Sequence, residues 1–402
     1  MRQHQLSHAD GADAQPLPII DHPLVPDNQP TIITQQDGLE QLIAQLRQHQ
    51  QCAYDTEFIG EHTFYPHFCL IQVATQHTVT LIDPLASIDL QPFWELLADP
   101  EVEILVHAGR QDLEPVGRYT GKPATHIFDT QIASAFCGLR YPISLSQLAL
   151  EMIEADLGKG LKFSQWDHRP LTGAQMQYAA NDVRYLPLLR DLIGQQLHEL
   201  DHFDLAVQAC AQLSDLSLYA FEPRGKKLKA KGLQSLTPRQ RMIINHLMDW
   251  RGQLAIQVDQ SIRMVMADQV LVNLASQDVI STEQISSAPG IPQWVKDHHA
   301  PDIAQAIALG LDAKIPKYKP ESAAHRDKLK TLTNHYYQLI ENHCNTKKIT
   351  PAVVISKKDT SALINYILAN ATLPPRAPAT QGWRYQILGY ILDQMLQDLC
   401  TA

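Results

Sequence analysis

The chain has 402 residues, 45% of them apolar and 19% charged, a balance ordinary for a globular protein of two or three domains. Its net charge of -10 speaks against a simple polyanion-binding module, and no apolar run approaches the length of a membrane span. Six cysteines, at 52, 69, 137, 210, 344 and 400, form no C-x-x-C pair, so they read as small buried hydrophobes in a reducing, cytoplasmic setting rather than a disulfide framework or zinc site.

In chain order, residues 1–30 are polar, rich in His and Pro, and lack the layout of a signal peptide; they are expected to be a disordered extension. Leu39, Leu42, Ile43 and Leu46 recur at helical spacing and predict a helix over 37–48. Strand-like runs follow at 52–59, 68–74 and 79–82. A short helix at 92–97, a strand at 104–107 and a helix from about 111 complete the pattern. Strands interleaved with helices predict an α/β layer architecture around a mixed sheet. From Leu145 onward the pattern is helical. Thr172-Gly173-Ala174-Gln175 has the form of a capping box, and Pro187 is expected to kink or divide the helix it opens.

Residues 222–235 form a boundary, with five positive charges and two glycines between Arg224 and Gly232. Thr237-Pro238 then opens a helical module, 236–312, with Ile243, Ile244, Leu247, Trp250 and Leu254 as one apolar stripe. Further helices are predicted at 266–275, 282–287 and 300–310. A second linker at 315–320 precedes a last helical segment, 322–402, broken by a Pro-rich stretch at 374–378. Charge divides along the same line. Residues 1–210 hold 11 Lys and Arg against 27 Asp and Glu, a net of -16; residues 211–402 hold 22 against 16, a net of +6. The basic half offers backbone contacts to a polyanion, although +6 over so many residues is by itself unremarkable.

Asp55 and Glu57 lie two apart in the apolar run 52–59, so on a strand they share one face and repel. Packing does not explain that placement; a shared divalent cation does. Asp112 follows the strand 104–107, where helix starts present ligands. Tyr178 and Asp182 are i and i+4 and share one helix face. Hard cations such as Mg²⁺ take oxygen ligands, and two of them about 4 Å apart stabilise both the attacking and the leaving oxygen of a phosphodiester displacement. Each fragment alone is common. Their combination, ordered along one α/β region, is far more specific.

On these motifs the chain resembles the tyrosine-containing branch of the DEDD exonuclease superfamily. Asp55 and Glu57 match its first motif, Asp112 its second, and Tyr178 with Asp182 its third. The surrounding segments 54–58, 128–133, 166–171 and 178–186 resemble the bacterial ribonuclease D family more narrowly. Residues 236–312 resemble an HRDC domain through Trp250-Arg251, Ala255, Asp259, 262–266, Asp268 and Leu271. The last segment resembles an HRDC-like domain more loosely, through Gly382-Trp383-Arg384.

The resemblance implies a ribonuclease H-like mixed-sheet exonuclease domain over 31–221, followed by the basic linker and two small all-α domains. It implies a 3'→5' exoribonuclease that trims tRNA precursors and releases nucleoside monophosphates. Two Mg²⁺ or Mn²⁺ ions would be held by Asp55, Glu57, Asp112 and Asp182, with Tyr178 orienting the nucleophile. Phe58 could stack on the terminal base, although an aromatic closing a strand is as readily core. His107, Gln111, Trp166 and Arg169 are expected near the site, the last two as structural residues first and substrate-facing second. Asp129 is read as a helix cap before a supporting group of the site. Arg239, Arg241, Arg251 and Arg263 are candidate phosphate contacts. RNA is the expected partner, and the protein is expected to be a monomer with no membrane association. A DNA 3'→5' exonuclease and a non-catalytic RNA-binding scaffold remain the alternatives; the intact set of acids argues against the scaffold.

Overall fold

The computed structural model describes residues 18–158, 160–161, 164–225, 227–277, 281–315 and 322–401. Residues 1–17 of the expected extension, Lys226 of the basic linker and most of the linker 315–320 lie outside the described residues. The chain divides into two compact units. One comprises residues 1–57, 69–219 and 321–402, the other residues 58–68 and 220–320.

The first unit is built on a six-stranded sheet: β1 (Thr31–Ile33), β2 (Gln51–Ile59), β3 (His67–Ala74), β4 (Val79–Ile82), β5 (Glu103–Val106) and β6 (Ile127–Asp129), in the order β1-β4-β3-β2-β5-β6. β2, β5 and β6 run parallel, with Ala53 opposite Leu105 and Leu105 opposite Phe128. β3 and β4 pair antiparallel, with Ala74 opposite Val79, so the sheet is mixed as predicted. Strand alternation sorts side chains between two cores. Cys52 and Tyr54 enter one core with the helices Gln36–His49, Gln91–Leu97 and Arg110–Thr120. Ala53 enters the other, with the helices Gly173–Arg184, Leu186–Glu199 and Phe203–Cys210.

β1 and β6 were not legible in the sequence. Each is three residues long, too short to show a period of two, and each is fixed by pairing with a distant strand. Part of the segment expected to be disordered is instead packed. Val25 is buried in the core, and Asn28 bonds both backbone groups of Val79. The Arg184 guanidinium donates to the carbonyls of Pro26 and Asn28. A composition-based reading misses this, because the contacts come from residues 50 to 160 positions away.

The segment after residue 321 shares the second of those cores. Tyr336, Ile340, Ile364, Trp383, Leu388 and Leu392 join Phe136, Leu189 and Ile193 in one cluster. Thr350 N–H donates to the Ala135 carbonyl at 2.8 Å, and the Trp383 ring meets Phe136 edge-on at 5.2 Å. Burying such large apolar side chains stabilises by roughly 1.5–3 kcal/mol each.

The second unit packs the helices Pro238–Gln257, Ile262–Val265, Asp268–Ser276, Thr282–Ser287 and Gln293–Asp312 around Ile243, Leu247, Leu271, Val295 and Ile303. Thr237 caps the first helix in a capping box with Gln240. The last helix starts at Gln293 rather than near 300. Pro301 sits inside it, where its missing N–H forfeits a hydrogen bond without ending the helix. Gly310 lets this helix approach the first: a Cβ there would lie 2.4 Å from Ile243 Cα. The arginines expected to face phosphate are partly committed elsewhere. Arg251 is buried, donating to the Met266 carbonyl at 2.7 Å and to Asp268 at 2.9 Å. Arg239 binds the carbonyls of Gly310 and Ala313, Arg241 binds that of Leu236, and Arg263 is exposed. The segment 58–68 belongs to this unit through Asp259, which accepts from the N–H groups of Phe64 and Tyr65 at 3.2 and 3.0 Å.

Candidate active site

Asp55 and Glu57 project from the face of β2 that Ala53 occupies, the face covered by the helix Gly173–Arg184. That helix starts at a full capping box: Thr172 Oγ1 accepts from Gln175 N–H, and Gln175 Oε1 accepts from Thr172 N–H at 2.9 Å. Its inner stripe, Ala179, Ala180 and Val183, is fully buried, which turns Tyr178 and Asp182 toward the strand. Tyr185 then joins it to the next helix, Leu186–Glu199, with Pro187 in the first turn, so the proline divides the two as predicted.

Asp112 arrives from the other layer. It lies in the first turn of the helix Arg110–Thr120, just beyond β5, and is buried. Thr56, on the opposite face of β2 from Asp55, donates its hydroxyl to Asp112 Oδ1 at 2.5 Å. Tyr54 donates its hydroxyl to the Asp112 carbonyl at 2.9 Å. Both residues flanking Asp55 therefore hold the third acid, a role that two-apart spacing alone did not reveal.

Asp129 sets the turn before Asp112. Its carboxylate accepts from Gln131 and Ile132, capping the helix Thr130–Ala135, and also from Ala108 at 3.1 Å and Gly109 at 3.0 Å. Both sequence expectations for Asp129 thus describe one side chain. Ala108 has φ 57°, and at Gly109 a Cβ would lie 2.5 Å from Val106 Cβ, so glycine alone fits that turn without displacement.

The acids lie close enough to act on one another's charges. Burial, then Asp112, Asp182 and Glu57, hold the Asp55 carboxyl well above its ordinary range. Burial, with Asp182 and Asp112, pushes Glu57 up to about 8. Asp182 is raised to about 7, chiefly by burial, against a lowering hydrogen bond from the Tyr178 hydroxyl. Asp112 is raised to about 6 by burial, against the bond from Thr56. Burial and the neighbouring carboxylates of Asp182, Glu57 and Asp55 raise the Tyr178 phenol, so it stays a hydroxyl at neutral pH. Trp166, 2% exposed, packs its ring 6.0 Å from that of Tyr178 and restricts it.

Four oxygen-only acids in mutual repulsion form a donor set that suits hard divalent cations. Among the described residues they are not drawn together as a ready-made cluster of three ligands. That agrees with like-charge repulsion and with the habit of Mg²⁺ of completing its shell with water and substrate phosphate.

The substrate-facing candidates are placed differently. All five guanidinium N–H groups of Arg169 are used within the fold, on both Asp83 oxygens and the carbonyls of Trp166, His168 and Cys69. His107 donates Nε2–H to the Ile143 carbonyl at 3.0 Å, and its Nδ1 lies 3.0 Å from the Thr130 hydroxyl. Phe58 follows Glu57 on β2, and its ring meets Phe68 edge-on at 6.4 Å. Gln111 is exposed.

A family model described as 3'-5' exonuclease matches residues 30–198, and one described as HRDC domain matches residues 240–307. The chain is 31% identical to ribonuclease D of Bartonella henselae, over 91% of this chain and 90% of that one. It is 30% identical to ribonuclease D of Desulfotalea psychrophila, over 90% and 96%. The crystal structure of Escherichia coli RNase D, described as an exoribonuclease involved in structured RNA processing, superposes with a TM-score of 0.74 at 25% identity. That match covers 91% of this chain and 98% of the other.

Proposed function

The chain belongs to the ribonuclease D family of 3'→5' exoribonucleases, and on that premise we propose that it trims structured RNAs from their 3' ends, the trailers of tRNA precursors among them. The observation that carries this reading is that Asp112 and Asp182 lie close enough to Asp55 and Glu57 to act on their charges, with the Tyr178 hydroxyl donating to Asp182.

Two divalent cations, Mg²⁺ or Mn²⁺, would be held by Asp55, Glu57, Asp112 and Asp182 and would supply charge stabilisation at the reacting phosphate. The Tyr178 hydroxyl, donating to Asp182, holds the attacking water in line. Water adds to the terminal phosphorus, the bond to the 3' oxygen of the preceding nucleotide breaks, and that oxygen takes up a proton. A nucleoside 5'-monophosphate leaves, and the RNA ends in a new 3' hydroxyl. Thr56, Tyr54 and Asp129 keep Asp112 in place throughout. His107 and Arg169 act by shaping the loops around the site, and Phe58 stacks on the departing base.

The HRDC domain would hold the RNA body. No helix among the described residues is long and apolar enough to cross a membrane. Five of the six cysteines are buried as free thiols, which supports action in a reducing cytoplasm, and we take the enzyme to work as a monomer.

The direct test is turnover of a tRNA precursor labelled near its 3' end, with and without Mg²⁺, beside a matched DNA strand. Stepwise, cation-dependent loss from RNA alone is expected, abolished in Asp55→Asn because a neutral amide binds Mg²⁺ poorly. Equal loss from DNA would redefine the enzyme as a general 3' exonuclease. Full activity of Asp55→Asn would overturn the site.

A further inference from the structure

We propose that Gln72 is a positioning residue for the first acidic pair, its side-chain amide donating to the Asp55 and Glu57 carboxylates and fixing their orientation toward the bound cations. The inference deepens the exoribonuclease reading and rests on it. Gln72 interrupts an otherwise apolar run. β3 reads His67-Phe68-Cys69-Leu70-Ile71-Gln72-Val73-Ala74, and Gln72 is 0% exposed.

Strand alternation sets its direction. Ile71 and Val73 enter the core that holds Tyr54, whereas Ala74 enters the core that holds Ala53 and Val79. Gln72 therefore points to the face of the sheet from which Asp55 and Glu57 project. Strand order then sets its place on that face. β3 lies between β4 and β2, and Gln72 is opposite Leu81 of β4. The helix Gly173–Arg184 packs on β4, while its Asp182 acts on the charges of Asp55 and Glu57 on β2. That helix thus spans β3, and Gln72 forms part of the floor beneath it, one strand away from the acids.

Donors and acceptors on the two strands are complementary and unpaired. Neither Nε2 nor Oε1 of Gln72 has a hydrogen-bond partner among the described residues, and burying an unpaired amide is costly. Asp112 takes the Thr56 hydroxyl, and Asp182 takes the Tyr178 hydroxyl. Among the described residues no side chain donates to Asp55 or Glu57.

The amide is the donor that the first motif lacks. An ionised carboxylate only accepts hydrogen bonds, and cation binding requires the acids in that form. The two N–H groups of Gln72 suit such a pair. A neutral amide also orients the carboxylates without adding a charge to a set of acids that already repel one another. Packing alone does not account for glutamine here, because methionine or leucine would fill the space with no polar group to satisfy.

The test compares full-length wild type with Gln72→Met, which keeps the length of the side chain and removes the amide, and with Gln72→Leu as a second apolar shape. Tm is measured without cation, Mn²⁺ affinity by electron paramagnetic resonance of the free ion, and kcat and KM on single-stranded RNA at saturating Mn²⁺. Without cation, Gln72→Met is expected to melt roughly 2–4 °C above wild type, because a buried unpaired amide has gone. Its Mn²⁺ affinity should fall about 10- to 100-fold, the usual cost of losing a group that orients a metal ligand. The kcat should fall with KM for RNA little changed, since Gln72 acts on the acids and not on the RNA. A raised Tm with wild-type Mn²⁺ affinity would overturn the proposal and make Gln72 a core residue alone. A lowered Tm would overturn it too, by showing that the amide already supports the cation-free fold, as would failure of both variants to fold. Wild type that binds Mn²⁺ without degrading RNA would refute the exoribonuclease reading and leave the comparison of Mn²⁺ affinities standing. Wild type that does not bind Mn²⁺ would overturn both.

Discussion

Asp129→Asn is a small change with two consequences that can be read separately. The carboxylate is 1% exposed and accepts four backbone N–H groups, three on Oδ1 and one, from Gly109, on Oδ2. An Asn side chain can keep its carbonyl oxygen toward Ala108, Gln131 and Ile132, which preserves the helix cap. Its NH₂ must then face the Gly109 N–H, leaving two buried donors opposed. Each unsatisfied donor costs about 1–3 kcal/mol, so the substitution should destabilise by roughly 2–6 kcal/mol. With a urea dependence of about 1–3 kcal/mol per molar, the midpoint for the exonuclease unit should fall by about 1 M or more. The strain falls on the turn three residues before Asp112, and misplacing a catalytic group by about 1 Å can cost on the order of a hundredfold in rate. Urea unfolding followed by tryptophan fluorescence, with kcat measured well below the transition, separates the two effects. An unchanged midpoint together with an unchanged kcat would refute the claim that Asp129 positions the second acidic motif.

The remaining predictions concern the same site and its support. The raised carboxyls of Asp112, Asp182 and Glu57, at about 6, 7 and 8, bind protons more tightly folded than unfolded. The cation-free protein should therefore lose stability as pH rises from about 4 to 8. Calorimetry between pH 5 and 8 should show Tm falling, and millimolar Mn²⁺ should reverse the fall by binding only the folded state; a rising Tm without cation would contradict the electrostatics. Tyr178→Phe removes one hydroxyl that donates to a carboxylate, a bond worth about 1.5–3 kcal/mol, so kcat should drop about ten- to a hundredfold with KM little changed. Full turnover would remove Tyr178 from the mechanism. Deleting residues 322–402 strips Tyr336, Trp383 and Leu388 from the core they share with Phe136 and Ile193, so the truncated chain should aggregate or melt far below the full chain. A soluble, cooperatively melting truncation would show that the segment is not part of that core.

The sequence by itself determined the elements with a clear period and the chemistry with a clear spacing. Leu39, Leu42, Ile43 and Leu46 announce their helix because a 3.6-residue repeat holds over about two turns, and the helix runs Gln36–His49. Asp55 with Glu57, and Tyr178 with Asp182, declare a shared face through local geometry alone. Thr172 and Gln175 mark a helix start because both halves of a capping box lie within one turn. Only the tertiary structure decided the contacts that span tens of residues. It pairs β1 with β4 and β6 with β5, and it brings Thr56 onto Asp112. It joins both duties of Asp129 in one carboxylate and spends Arg169 and Arg251 inside the fold. It also fuses the last helices to the catalytic core. The reason is common to all of these. Periodicity and capping act over a few residues and leave their trace in adjacent letters, whereas a buried donor takes whichever acceptor the folded chain brings within 3 Å, and nothing in the neighbouring sequence records which one that is.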